Sequence, residues 1–302
     1  MTNLIALMVA LMLIVGQAGT AGQPSTDMGA GSIALQEPNH YISGDYEYQV
    51  IPDGTAVIIR YSGSEKELTI PARIDRYPVS GIGVAAFFKN EDLESVSIPD
   101  GVKVIGEKAF AYCENLKKAR IPDSVTHIGY EAFYDCMFLE EFSLPAGLTV
   151  IGDYAFAGIR FADIRIPDSV TAIGKGAFYL CAGVTIVTVP EGITEIGDNT
   201  FTMCYHMKEV SIPDTVTRIG REAFSNCAEL TRVVIPDSVT EIGDGAFSYC
   251  DCLTEAVIPA SVTSIGKEAF YLFDHRPVVT VTVTPGSYAE QYCMENEIPY
   301  TY

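Results

Sequence analysis

Cysteine is the residue type with the widest chemical potential in this 302-residue sequence, which contains eight of them. Thiols can form disulfides, bind metals or act as nucleophiles. Six share one spacing, three residues after a phenylalanine that ends an Ala-Phe or Thr-Phe pair: Cys113, Cys136, Cys181, Cys204, Cys227 and Cys250. Asn90, Ile159 and Phe273 occupy the same position elsewhere, so it does not require a thiol. The pattern predicts small, buried, reduced side chains.

Disulfide bonds along this row are unfavourable on geometric grounds. Equivalent residues of stacked strands lie about 4.8 Å apart with parallel Cα–Cβ bonds, whereas a relaxed disulfide needs a closer approach of the β-carbons. Cys252 and Cys293 lie outside the row and could pair with each other, which the sequence leaves open.

Metal binding and catalysis have little support. No C-x-x-C or H-x-x-x-H motif occurs, and the four histidines fall at unrelated positions: His40, His127, His206 and His275. Five aspartates that follow prolines could be calcium ligands or turn formers: Asp100, Asp123, Asp168, Asp214 and Asp237. Turns are favoured, because Ala146 and Ala260 interrupt the row. We expect no metal, no cofactor and no enzymatic activity.

These residues recur because the chain repeats. Prolines of Ile-Pro-like pairs are 23 residues apart after a first gap of 28, with one spacing of 22: Pro71, Pro99, Pro122, Pro145, Pro167, Pro190, Pro213, Pro236 and Pro259. Nine phenylalanines run in step with them: Phe87, Phe110, Phe133, Phe156, Phe178, Phe201, Phe224, Phe247 and Phe270. A fixed period in this range predicts a solenoid of stacked coils.

One repeat, residues 230–250, shows how a coil is built. Val233 and Ile235 alternate as inward residues of a short strand. Pro236 ends that strand because it has no amide proton, and Gly243 is expected to permit a sharp bend. Phe247 then points inward. A lone coil could not cover these apolar side chains, so several must stack.

The unit L-x-x-V-x-I-P-D-S-V-T-x-I-G-x-x-A-F-x-x-C resembles the BspA-like leucine-rich repeats of bacterial and protozoan surface proteins, over roughly residues 41–302. The resemblance implies a curved, right-handed, β-rich leucine-rich-repeat solenoid with short helical or 3-10 turns, an N-terminal hairpin cap and a C-terminal cap. It also implies surface adhesion or binding to a host surface or matrix.

The predicted organisation has five segments: a signal peptide at 1–21, a flexible linker at 22–40, a hairpin cap with a first divergent repeat at 41–91, leucine-rich repeats at 92–275, and a C-terminal cap at 276–302. The leader rests on the apolar run Leu4–Val15, which is too short for a convincing membrane span. It predicts a secreted or cell-surface protein and leaves open whether the leader is cleaved or kept as an anchor. The formal net charge of −20 disfavours nucleic acid and anionic membranes as partners.

The predicted ligand-binding surface is the concave face. Its outward positions flank the middle apolar residue of each front strand, and unlike the core they vary from coil to coil. The candidates are Lys118, Arg120, Glu141, Asp163, Arg165, Ile186, Glu209, Arg232, Val234, Glu255 and Val257. We expect a protein or glycan ligand; the alternatives are a structural spacer or accessory domain and, last, an enzyme. Ligand identity and oligomeric state stay open.

Overall fold

Parallel strands, each one repeat apart, stack into a β-solenoid. The computed structural model describes residues 40–160, 164–271 and 279–302, and the predicted signal peptide and all but His40 of the predicted linker lie outside these residues. The predicted leucine-rich-repeat solenoid is confirmed. No helix in the described residues has the length and apolar character needed to cross a bilayer.

The regular elements are short. In chain order the strands are β1 His40–Ser43, β2 Tyr46–Val50, β3 Ala56–Tyr61, β4 Glu67–Thr69, β5 Arg73–Ile74, β6 Tyr77–Ile82, β7 Ser95–Ser97, β8 Val104–Ile105, β9 Lys118–Arg120, β10 His127–Ile128, β11 Glu141–Phe142, β12 Val150–Ile151, β13 Ala172–Ile173, β14 Ile186–Thr188, β15 Glu195–Ile196, β16 Glu209–Ser211, β17 Arg218–Ile219, β18 Arg232–Val234, β19 Glu241–Ile242, β20 Glu255–Ile258, β21 Ser264–Ile265, β22 Thr280–Val283 and β23 Tyr300–Thr301. The described helix is α1, Tyr288–Glu295.

Two sides of the solenoid are parallel ladders. The first, called the front face, follows the predicted concave positions and contains β4, β7, β9, β11, β14, β16, β18, β20, β22 and β23. The second, called the back face, contains β6, β8, β10, β12, β13, β15, β17, β19 and β21. Register is strict, since Val104, His127 and Val150 pair in line.

The third side, called the turn face, corrects the expectation of short helical or 3-10 turns. Each coil from Phe87 to Phe247 has left-handed residues two positions before and two after its ladder phenylalanine, as with Lys108 (φ 53°) and Tyr112 (φ 60°) around Phe110. A 3-10 helix would keep φ negative throughout. The alternation forms successive β-turns whose amides reach the next coil, for example Phe110 N to Ala132 O at 2.8 Å.

The nine phenylalanines form one continuous buried stack. Neighbouring rings have centroids 4.8 to 5.7 Å apart and interplanar angles of 3° to 12°. The stack continues into the cap, where Tyr61 lies 5.2 Å from Phe87. The predicted inward position of the phenylalanines is therefore confirmed.

The six row thiols are buried and free, as predicted. Each donates a hydrogen bond to the carbonyl of the preceding coil's phenylalanine; Cys113 Sγ, for instance, lies 3.1 Å from Phe87 O. The same geometry recurs for Cys136, Cys181, Cys204, Cys227 and Cys250. Cys252 is exposed and Cys293 buried, and the two are not bonded to each other.

The repeat glycines are not bend formers, contrary to expectation. Gly243 does not have a positive φ. A β-carbon there would lie 2.6 Å from Arg221 N and Gly220 C of the preceding coil, closer than real contacts allow. Glycine is required at this position because the backbones of adjacent coils approach each other there.

Both ends of the stack are capped. The predicted hairpin forms as β2 and β3, which pair antiparallel, and β3 pairs parallel with β6. At the other end β22 continues the front ladder, and Val281 and Val283 are buried. The predicted C-terminal cap contains α1, which is N-capped by Ser287.

One interface between coils is weaker than its neighbours. It lies between the coil of Phe178 (residues 164–181) and that of Phe201 (186–204), and we call it the split interface. Within the described residues no strand pairing crosses it: β13 ends one back sheet, β15 begins the next, and residues 164–166 form no strand. A cavity of about 330 Å³ lies between Ile173 and Thr194 on the back face.

The split interface is held by the turn face and the phenylalanine stack. Phe178 N donates to Thr200 O at 3.0 Å, and the two phenylalanine rings are 5.4 Å apart. Lys175 Nζ also lies 3.0 Å from Asp198 Oδ2. The sequence is also irregular here. Pro145 and Pro167 are 22 residues apart instead of 23, because the segment between Phe156 and Pro167 is one residue short.

Candidate binding face

The front face presents two outward columns along the solenoid. Register pairs Lys118 with Glu141, Ile186 with Glu209, and Arg232 with Glu255 in the first column. Val234 pairs with Val257 in the second. Arg165 is exposed beside Ser143 but lies in no strand, and Asp163 lies outside the described residues. The other nine predicted residues lie on the front strands: Lys118, Arg120, Glu141, Ile186, Glu209, Arg232, Val234, Glu255 and Val257.

Aliphatic side chains are exposed in the C-terminal half of this face. Ile186 is 53% exposed and Val234 is 45% exposed, while their inward neighbours Val187 and Val233 are buried. Val257, next to Val234, is half-buried. Core packing leaves these outward positions free, so their apolar character is not required by the fold.

Charged residues of the face fall into two groups. Lys118 is hydrogen-bonded to Glu141, and Arg232 Nε lies 3.1 Å from Glu255 Oε2. Across the described chain, Arg120 and Arg165 make no ion pair. Pairing neutralises much of the face, and these two guanidinium groups are left as its available cations.

Strand pairing is interrupted between β16 and β18, and a cleft of about 530 Å³ opens there. It brings together three predicted residues, Glu209, Arg232 and Val234, with the half-buried side chains of Val210 and Ile212. An adjoining cavity of about 400 Å³ extends the same surface past Val257 to the turn prolines. Ile186 borders neither cavity.

A second cleft, of about 480 Å³, lies near the short coil and contains Arg165. Phe142, Leu144 and Ile164 supply its apolar wall, and Asp168 and Ser169 lie at its edge. Sequence reasoning identified Arg165 but neither cleft. The 22-residue spacing was the available signal for this one, whereas no sequence signal marks the break between β16 and β18.

Among the described residues, the acidic turn row and the histidines show no common site; His275 lies outside these residues. Asp123 Oδ1 accepts the amide of Ala146 at 2.8 Å, which links adjacent turns. In the part of the chain that the structure describes, no three His, Cys, Asp or Glu side chains converge as metal ligands would. The face offers exposed apolar side chains and hydrogen-bonding groups.

Comparison with known proteins gives a consistent result. The family model described as BspA type leucine rich repeat region matches residues 80–204 and 149–275, in 6 copies. A leucine-rich repeat protein of T. pallidum is 31% identical, with a TM-score of 0.59, covering 64% of this chain and 91% of that one.

Two further solved structures are more distant. A leucine-rich repeat protein from Bacteroides ovatus is 22% identical with a TM-score of 0.42, covering 90% and 99% of the two chains. A leucine rich cell surface protein from Faecalibacterium prausnitzii is 26% identical with a TM-score of 0.39, covering 86% and 98%. No curated protein gives a significant match.

Proposed function

Since the chain belongs to the BspA-type leucine-rich-repeat family, we propose that it is a secreted or cell-surface binding module whose front face captures a protein ligand. Export is part of this proposal and rests on the apolar run Leu4–Val15. The proposal commits to a protein partner for the front face. A spacer without a ligand and an enzyme are the competing functions.

The exposure of Ile186 and Val234 is the observation that carries the proposal. Protein interfaces place apolar anchors at their centre and polar residues around them. Here Val234 lies at the cleft between β16 and β18, and Glu209 and Arg232 lie beside it. A solenoid spacer would have no need for aliphatic side chains at outward positions, where other coils carry serine, lysine or glutamate.

Arg120 and Arg165 are proposed to speed association with an acidic region of the partner. They are cations without an ion pair among the described residues, on a chain of formal net charge −20. Charges at the rim of an interface chiefly affect the association rate and its salt dependence. Lys118 is less suited to this role, because Glu141 already neutralises it.

The test is an array of purified matrix and cell-surface proteins probed with the full chain. Changing Ile186→Asp together with Val234→Asp should weaken any captured interaction at least about tenfold, because central interface residues contribute more than about 1 kcal/mol each. Arg120→Glu with Arg165→Glu should slow association and leave dissociation nearly unchanged.

Ala172→Asp with Ser264→Asp is the matched control, since both residues are exposed and the change adds the same charge on the back face, away from the proposed site. All three double variants should melt like the parent chain. Full binding by the Ile186 and Val234 variant, or no capture anywhere on the array, would argue against the proposed function.

A further inference from the structure

A row of aromatic side chains lies on the turn face, away from the front face. We call Phe88, Tyr112, Tyr134, Tyr154 and Tyr179 the aromatic patch. Phe88 and Tyr112 have ring centroids 5.7 Å apart, and Tyr112 and Tyr134 are 5.4 Å apart. Tyr154 and Tyr179 are 6.4 Å apart. The rings therefore form two groups, Phe88 to Tyr134 and Tyr154 with Tyr179, on five consecutive coils.

The fold does not require aromatic residues at these positions. Phe88, Tyr134 and Tyr179 each follow a ladder phenylalanine, and the same position in the next three coils holds Thr202, Ser225 and Ser248. The later coils keep the same turn ladder and the same ring stack. The equivalent turn positions are aromatic again at Tyr249 and Tyr271. Since three coils build the same backbone with threonine or serine, the rings from Phe88 to Tyr179 call for an explanation other than the fold.

The rings stand beside a floor of small residues. Ala157 occupies the corresponding position between Tyr134 and Tyr179 and is buried. Gly176 lies beneath Tyr154, where a β-carbon would be only 2.3 Å from ring atom Cε1. Phe88 is 39% exposed, and the four tyrosines are half-buried. The result is a shallow surface with ring faces and edges accessible from outside.

The phenol groups of the patch are available for hydrogen bonding. Among the described residues, Tyr112, Tyr134, Tyr154 and Tyr179 have no side-chain hydrogen bond. Burial raises the pKa of Tyr134, with smaller contributions from Asp135 and the phenols of Tyr112 and Tyr179. The phenol therefore stays neutral at physiological pH and can both donate and accept.

The cations near the patch already have partners. Lys108 Nζ lies 3.6 Å from both Glu107 and Glu131. Lys89 Nζ lies over the rings of Phe88 and Tyr112, 5.4 and 5.6 Å from their centroids. A surface of rings and free hydroxyls, with its cations already engaged, is suited to an uncharged ligand rich in hydroxyl groups.

We propose that the aromatic patch is a binding site for a neutral polysaccharide. The apolar C–H faces of pyranose rings pack on Tyr134 and Tyr179, while sugar hydroxyls exchange hydrogen bonds with the free phenols. An extended polymer suits the site because the rings recur along the solenoid axis. The site is separate from the front face and does not depend on the function proposed for that face.

The experiment is affinity electrophoresis of the full chain through gels containing a soluble β-glucan, a xylan, a mannan or a galactan, with heparin as the anionic comparison. We expect retardation by at least one neutral polymer and none by heparin. Tyr134→Ser with Tyr179→Ser, which introduces the residue found at Ser225 and Ser248, should weaken binding by about tenfold or more. Thermal melting checks that this variant folds.

Two further variants distinguish the possible outcomes. Tyr134→Phe with Tyr179→Phe keeps the rings and loses the hydroxyls, so it should retain part of the affinity. Ile186→Asp with Val234→Asp should bind polysaccharide like the parent, which separates this site from the front face. The inference is overturned if no neutral polymer retards the chain, if the serine variant binds unchanged, or if the tyrosines prove necessary only for capture of a protein.

Discussion

Glycine, histidine and cysteine each owe their role to contacts between coils, and these contacts are only partly visible in the sequence. The sequence shows that each repeat has glycine at the position of Gly220, but it does not show why glycine is needed there. A β-carbon there would lie 2.7 Å from Asp198 N and Gly197 C. At Gly197 the nearest atom is Thr200 Oγ1, at 3.3 Å, because the split interface opens the space.

The two glycines therefore form a matched pair. Gly220→Ala forces two backbones apart and should lower the free energy of unfolding by about 1–3 kcal/mol. Gly197→Ala meets only a hydroxyl and should change it by less than about 1 kcal/mol. Denaturant unfolding of both variants measures the difference, and equal losses would mean that the coils are evenly spaced.

His127 should make the stability depend on pH. Its side chain is buried between Val104 and Val150 of adjacent coils, and burial lowers its pKa. The unfolded chain keeps the ordinary pKa and takes up a proton at higher pH. Stability is therefore complete above the ordinary histidine pKa and is lost as pH falls towards the folded value, by about 1.4 kcal/mol per pH unit within that window.

His127→Val, which copies the neighbouring coils, should remove that part of the acid sensitivity. The measurement is the free energy of unfolding at pH 7.5 and pH 5 for both chains. Carboxylates also make stability depend on pH; the ammonium groups of Lys117 and Lys66, for example, lower the pKa of Glu94 to about 2. Their contribution is the same in the parent and the variant, so it cancels in the comparison. If the free energy of unfolding changes equally between pH 7.5 and pH 5 in both chains, His127 is not the source of the pH dependence.

At the scale of elements, the thiol row acts as a unit. Each thiol supplies a second hydrogen-bond donor to a phenylalanine carbonyl of the preceding coil, which explains cysteine in preference to a plain hydrophobe. Burial raises the pKa of Cys113, Cys204 and Cys250 to about 12. Thiolate, the reactive form, is thus scarce in the folded chain.

Labelling with a thiol reagent should modify one cysteine in the native chain, Cys252, and all eight after denaturation. The count is read by absorbance and the position by mass spectrometry. Recovery of a Cys204–Cys227 disulfide from native protein would contradict the buried, reduced row.

The strand and cap elements could be predicted because hydrophobic side chains recur with a fixed period. Val233 and Phe247 were assigned inward from spacing alone. The turn face could not be predicted, because left-handed conformations at Lys108 and Tyr112 come from hydrogen bonds to a neighbouring coil rather than from their own residue type. The clefts were missed for a similar reason: they depend on where adjacent strands fail to pair.

On the scale of the whole molecule, the stability of a stacked array depends on nearest-neighbour contacts. The split interface lacks strand pairing among the described residues, so it is the weakest point of the array. We expect opening there to precede opening elsewhere.

Hydrogen exchange should detect this directly. The amides of Thr217 and Thr240 donate across adjacent coils at 2.9 Å. Among the described residues, the amide of Thr194, which faces the cavity, makes no such bond. Thr194 should exchange faster than the other two amides, as measured by NMR or by mass spectrometry of short peptides. Equal protection of all three would show that the interface is closed in solution.

The split interface lies between the aromatic patch and the apolar residues of the front face. The patch lies on its N-terminal side, Ile186, Val234 and Val257 lie on its C-terminal side, and the front face spans it through Arg120 and Arg165. One chain would thus present two binding sites to the same surface. A matrix that displays both a polysaccharide and a protein would be held by avidity, since engagement of one site raises the effective concentration of the ligand at the other.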